Sequence, residues 1–166
     1  SSLKEGLIKI SFFVAYIYII SFMNDIKRVF QYHGAEHKSI FAYEKGLELT
    51  VDNVKKMPRL HPRCGTNFIF VVLMVSTFVF SFFTFENVLT RSILKLIFFP
   101  VVAGIAYEII KIAGKYQNPF TRVLILPGLL MQKITTREPD EKQIEVAIAA
   151  LQATLDKTEV VSPSPT

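Results

Sequence analysis

The chain has 166 residues, enough for one domain, with 51% hydrophobic residues, fifteen Phe, no Trp and a net charge of +5. Positive mean hydropathy excludes an ordinary soluble domain of this size, and the single cysteine, Cys64, excludes an internal disulfide while fitting a reducing compartment or a thiolate ligand. No nucleic-acid-binding motif accompanies the basic balance, so no sequence-specific nucleic acid is expected as a partner.

The chain opens on Ser1-Ser2 without Met and reads as a processed form or a fragment. Gly6 to Met23 is an apolar run with one Lys9, near the lower limit for a transmembrane helix. It has no small-residue cleavage site after it, so it reads as a retained first span rather than a signal peptide. Asn24-Asp25 then offers an N-cap and Gly46 a C-terminal stop, which predicts a helix from about 25 to 45.

That helix carries Tyr32-His33-Gly34-Ala35-Glu36-His37-Lys38, an H-x-x-E-H sequence. Two histidines four residues apart share a helix face, where two imidazoles can hold one metal ion. In hydrolases with this inverted zincin motif the glutamate activates the metal-bound water, which nominates Glu36 as a catalytic base. The apolar stripe reads Ile26, Val29, Phe30, Ile40 and Phe41 with His33 and His37 filling its gap, so both histidines are expected to face inward, with Lys27, Arg28, Gln31 and Lys38 outward. Burial favours the neutral imidazole that binds metals. The alternative is a pair of packed histidines hydrogen-bonded to carbonyls or to Glu36.

The polar loop 24–67 continues with a short helix capped by Thr50 and ended by Pro58, then a turn holding His61-Pro62-Arg63-Cys64. Phe68 to Phe85 is an uncharged eighteen-residue second span. A turn at 86–92 leads to a third span over about 93–113, which Pro100 should bend. Phe120 to Ile134 is apolar but interrupted by Pro127-Gly128, and reads as a re-entrant or interfacial pair of short helices. Residues 135–157 read as a soluble segment whose amphipathic helix carries Ile144, Ile148, Leu151 and Leu155 on one stripe, and 158–166 as a disordered tail. The fold class is thus an all-α integral membrane protein with about three spans.

Loop 24–67 has eight Lys/Arg, whereas the turn at 86–92 has only Arg91. The positive-inside rule therefore puts the loop and the C-terminus on the cytoplasmic side, with the lipid bilayer as the first partner. On that topology the helix of His33 and His37, the turn of His61 and Cys64, and Glu108 near the end of the third span lie at one membrane level. An ionisable residue inside a span is a functional candidate by default. The bland alternative pairs Glu108 with Lys111 or Arg63.

Two metal sites can be built. His33, His37 and Glu108 with Glu36 as base make an open, hydrolase-like site; His33, His37, His61 and Cys64 make a closed, structural one. His61 and Cys64 have the His-x-x-Cys spacing of a metal-binding turn, although a capped turn before a helix uses the same residues. Zinc suits either donor set. Glu44 shares the histidine stripe and could accept a hydrogen bond from a ligand, or be a solvated carboxylate. Arg137 and Glu138 could salt-bridge the histidine loop or lie in a solvated linker.

Tyr32 to Lys38, His61 to Thr66, PVVAGIAYE at 100–108, Pro127-Gly128-Leu129 and Thr135-Thr136-Arg137-Glu138-Pro139-Asp140 with Val146-Ala147-Ile148 follow one another in an order that resembles the YqhQ-like family. Its members are bacterial and plastid membrane proteins of unknown function, often labelled as metal-dependent enzymes. The resemblance covers about residues 3–155 and implies that His33, Glu36, His37, His61, Cys64 and Glu108 are motif positions. It places the protein in a bacterial plasma membrane or a plastid thylakoid membrane.

Two functions are expected from these features. The first is a membrane-embedded zinc-dependent hydrolase acting on a peptide, a lipid or a lipid-linked group. The second is a non-catalytic biogenesis or complex-assembly factor with a structural metal, whose C-terminal helix and basic loop dock a translocon, a ribosome or a membrane complex.

Overall fold

The structure is a computed structural model that describes residues 2–83, 87–116 and 118–161. All regular structure among them is α-helical: α1 (Ser2–Ile20), α2 (Asn24–Glu44), α3 (Val51–Lys55), α4 (Gly65–Ser81), α5 (Val88–Lys115), α6 (Pro119–Thr135) and α7 (Glu141–Val161). They fall into two compact units, Ser1–Ile20 with Pro62–Ile134, and Ser21–His61 with Thr135–Thr166.

The first unit contains α1, α4, α5 and α6. Cys64 occupies the N-cap of α4 and its sulfur accepts a hydrogen bond from the Thr66 N–H at 3.3 Å. Asn87 does the same for α5, accepting from the Leu89 N–H at 2.8 Å; residue 86 of the expected turn lies outside the described residues. Val71 of α4 packs with Ala106 and Ile110 of α5, flanked by Phe68, Val72 and Val75. Against α4 also lies α1, where Gly6 sits so close to Thr77 that a Cβ would overlap its side chain. Glu5 of α1 pairs with Arg91 of α5.

Here α5 is by itself long and apolar enough to cross a membrane, whereas the apolar α4 has 17 residues, starting and ending earlier than the expected span 68–85. Apolar side chains remain on the outside of α5, with Leu96 76% and Ile97 62% exposed. Pro100 sits inside α5 without dividing it. The expected break at Pro127 is likewise absent, because α6 is one helix with Pro127 inside it. A proline removes only one amide from the ladder, and α6 is well started: Pro119 holds the first helical position, while Asn118 and Thr121 exchange N–H bonds to each other's side-chain oxygens at 3.3 and 2.9 Å. Gly128 then lets α6 approach α4, since a Cβ there would overlap Asn67.

The second unit is built on α2. Met23, rather than Asn24 or Asp25, occupies its N-cap position and makes no side-chain cap; both expected capping residues lie within the first turn, where Asp25 still suits the positive helix end. The C-terminal stop is as expected: Gly46 has φ +66, and the Leu47 N–H reaches back to the Ala42 carbonyl at 3.0 Å. Thr50 caps α3 through the Asn53 N–H at 3.4 Å. For α7, Asp140 and Gln143 form a reciprocal cap, each backbone N–H bonded to the other's side chain at 2.9 and 2.8 Å. That helix runs on through Val161, into the stretch expected as a tail, and 162–166 lie outside the described residues.

Ala35 and Ala42 of α2, Val54 of α3, and Ile144 and Ile148 of α7 form the core of this unit. The small residues let the helices approach closely, and the largest fully buried side chain is Ile144, 1% exposed. Val29, placed on the inward stripe by periodicity, is instead exposed, and Lys38, placed outward, is buried. The reason is polar: the Lys38 ammonium meets the Glu138 carboxylate at 2.9 Å and donates to the Lys55 carbonyl at 3.2 Å.

Candidate metal centre

A buried polar cluster lies along α2 in the second unit. The segment Thr135–Glu138 runs against the helix at Gly34, where an added Cβ would collide with the Arg137 carbonyl. Backbone contact follows from that proximity, with the Arg137 N–H donating to the Phe30 carbonyl at 2.8 Å. Arg59 donates to the Thr136 carbonyl at 3.1 Å, and Gln143 donates to the Gln31 side chain at 3.2 Å. Of the two readings of Arg137 and Glu138, the salt bridge to the histidine loop is the one found, Glu138 pairing with Lys38, and the segment is a strap fastened to the histidine helix rather than a solvated linker.

Both motif histidines are oriented by backbone carbonyls. His33 Nδ1 lies 2.9 Å from the Thr135 oxygen, and His37 Nδ1 lies 2.5 Å from the Arg59 oxygen. A carbonyl only accepts, so Nδ1–H is the donor in each ring, and the neutral ring then carries its lone pair on Nε2. This is the tautomer that metal-ligating histidines adopt when a carbonyl holds the other nitrogen. The two rings stand edge to face with centroids 4.3 Å apart, and a nitrogen of one is within 4.8 Å of a nitrogen of the other. His37 is buried and His33 half-buried.

His61 joins the same cluster. Its centroid is 5.8 Å from that of His37 and 4.4 Å from that of Phe41, and its Nε2 is 3.3 Å from the Glu44 carboxylate. Glu44, whose pairing the helical stripe left open, is thus a partner of His61. Glu36 does not turn into the ring cluster. It is exposed and lines a groove of about 420 Å³ with Tyr32 and Ile40 of α2 and Val146, Ala147 and Ala150 of α7.

The other two expected ligands belong to the first unit. Cys64 is buried as the cap of α4, and Glu108 is exposed and paired with Lys111 at 3.2 Å, one turn away on α5. Hydrogen bonds to carbonyls are what the packed-pair alternative also expects; what the sequence does not name is which carbonyls, those of Arg59 and Thr135, since a carbonyl leaves no signature in a sequence.

A family described as "Protein of unknown function (DUF1385)" matches residues 1–157. The chain belongs to that family. It is 42% identical over 152 residues to "Uncharacterized protein YqhQ" of Bacillus subtilis (strain 168), a relative of this family, covering 91% of this chain and 48% of the relative. The chain therefore spans about half the length of that protein. No solved structure matches.

Proposed function

We propose that the protein is a membrane-embedded metal-binding protein whose metal, zinc by donor type, is held by His33 and His37 of α2. The observation that carries this reading is the pair of Nδ1–H bonds to the Thr135 and Arg59 carbonyls, which present two Nε2 lone pairs from one helix face. His61, in the same unit, is the third ligand this reading would use, and Cys64 and Glu108, the other two that the motifs nominate, are to be tested by substitution. Membrane embedding is supported by the length and apolarity of α5 and by the exposed apolar side chains of α1, α5 and α6, such as Phe12, Leu96 and Phe120. Three spans, α1, α4 and α5, would leave the basic loop and the C-terminus on the cytoplasmic or stromal face of a bacterial or plastid membrane.

The activity proposed for this centre is hydrolysis; Glu36, which the motif nominates as general base, lies exposed in the groove beside α7 and would have to turn toward the rings to serve. Zinc held by His33 and His37 would supply Lewis acidity and lower the pKa of a bound water toward neutrality. The chain would supply the carbonyls that fix the histidine tautomers. Glu36→Gln is expected to keep the metal and abolish hydrolysis of peptide or lipid-linked substrates. Retained hydrolysis would remove Glu36 from the reaction. Cys64→Ser and Glu108→Gln separate the closed from the open donor set, since only the variant that removes a ligand loses metal.

A second reading, an assembly factor with a structural metal, is favoured by the position of Glu36 in the groove beside α7, where Val146 is 53% exposed. On this reading the groove and basic loop dock a membrane-complex or translocon partner. Affinity capture of the full chain from membranes tests it, and recovery of the bait alone counts against it.

A further inference from the structure

We propose that the cavity at the meeting of the α4 start and the α5 end binds the phosphate of an anionic phospholipid headgroup. The inference rests on the membrane reading above and adds a specific lipid site to it. The cavity is about 550 Å³ and is bordered by Arg63, Phe68, Tyr107, Ile110, Lys111 and Lys115. Three cationic side chains thus surround one space. Lys111 and Lys115 are four residues apart, hence neighbours on one face of α5, and like charges so placed repel unless an anion lies between them. Glu108 is the carboxylate paired with Lys111, but both side chains are more than half exposed, so that pair yields to a competing phosphate at little cost.

Arg63 reaches the site by crossing α5 at a glycine. A Cβ at Gly114 would lie 2.7 Å from Arg63 Cδ, so only the absence of a side chain there admits the arginine stem. A guanidinium offers phosphate two parallel hydrogen bonds, which an ammonium does not. Gly65, the first residue of α4, borders the same cavity, and the positive end of that helix adds to the field. The remaining wall is Phe68, Tyr107 and Ile110. An inorganic anion has no use for an apolar wall, whereas an amphiphile covers it with its glycerol backbone and upper acyl carbons. These lysines also close α5, which among the described residues is the one helix by itself long and apolar enough to cross a membrane, the position at which basic side chains meet anionic headgroups.

The test uses the full chain in mild detergent, with retained phosphatidylglycerol and phosphatidylcholine measured by mass spectrometry after incubation with a mixture of both. Wild type is expected to prefer phosphatidylglycerol. Arg63→Gln with Lys111→Gln and Lys115→Gln should lower that preference by at least about tenfold, and Lys27→Gln with Arg28→Gln and Lys45→Gln, an equal loss of charge elsewhere, should leave it intact. Equal losses in the two sets, or no preference in wild type, would overturn the proposal. Displacement of phosphatidylglycerol by millimolar inorganic phosphate would reassign the cavity to a soluble anion and overturn the lipid assignment. If the triple variant fails to fold, Lys115→Glu alone must lower phosphatidylglycerol retention without changing that of phosphatidylcholine, and unchanged retention overturns the site. Alkaline carbonate extraction of native membranes tests the membrane reading separately, because release of the protein would refute embedding while the detergent measurement still reports the site.

Discussion

Gly34 and Arg137, more than a hundred residues apart, touch backbone to backbone: no Cβ fits at position 34 without striking the Arg137 carbonyl oxygen. The glycine inside the H-x-x-E-H motif is therefore there for packing, and the strap it admits supplies the carbonyl that orients His33.

Gly34→Ala is expected to destabilise the protein by about 1–3 kcal/mol, the usual range for overpacking, even though alanine is the better helix former by up to ~1 kcal/mol. Denaturant unfolding followed by circular dichroism measures it. A stability equal to or above wild type would mean that the strap gives way freely.

Lys38 is buried while its partner Glu138 is largely exposed. Removing the acid leaves a buried ammonium with only the Lys55 carbonyl, so Glu138→Gln should cost about 1–3 kcal/mol, as for other unsatisfied buried polar groups. Lys38→Met removes the charge with its need for a partner and should cost less. The ordering of the two variants is the measured quantity.

The pairing of Lys55 with Glu141 joins α3 to α7 at 2.8 Å. The hydrogen bond from Lys55 holds the Glu141 carboxyl below its ordinary value, and the same bond raises the Lys55 ammonium above its own. The acid side of the pair therefore stabilises the fold above the ordinary carboxylate range and is lost as pH falls through the lowered value. The lysine side is present below the ordinary ammonium range and is lost as pH rises through the raised value. Glu141→Gln should remove both slopes, leaving stability between these limits only slightly reduced because the pair is exposed. Unfolding midpoints across pH, with and without the substitution, provide the check.

The reciprocal cap at α7 gives a further prediction. Asp140→Ala leaves the Gln143 N–H without its acceptor and should cost about 1 kcal/mol, with fraying confined to the first turn of α7. Amide hydrogen exchange locates the loss, and fraying at the C-terminal end instead would contradict it.

Where the fold was legible in the sequence, a signal and its consequence lay within a few residues of each other. Gly46, Thr50 and the stripe of Ile144 and Ile148 each act within one or two helical turns, and α2 ends close to where Gly46 puts it. Pro127 misled because proline weakens a helix locally while the preceding cap and the close packing at Gly128 retain it. Lys38 misled because helical periodicity assigns a charge to water, whereas Glu138, a hundred residues on, draws it inward. The candidate site divides in the same way. The i, i+4 histidines were visible as a motif, and the stripe left open that Glu44 accepts a hydrogen bond without naming His61 as the donor. The Thr135 carbonyl that fixes the His33 tautomer, 102 residues away, had no sequence signal.

Everything proposed for the site depends on α2 holding a metal. The most direct measurement is elemental analysis of the full chain purified in detergent without chelators, alongside His33→Ala and His37→Ala. Wild type is expected to carry about one zinc per chain, the number two helix histidines and their further ligands can hold, and both variants to lose it with helical content retained. Wild type without metal, or a metal content that both substitutions leave unchanged, would contradict it and reduce the two histidines to a packed pair held by carbonyls.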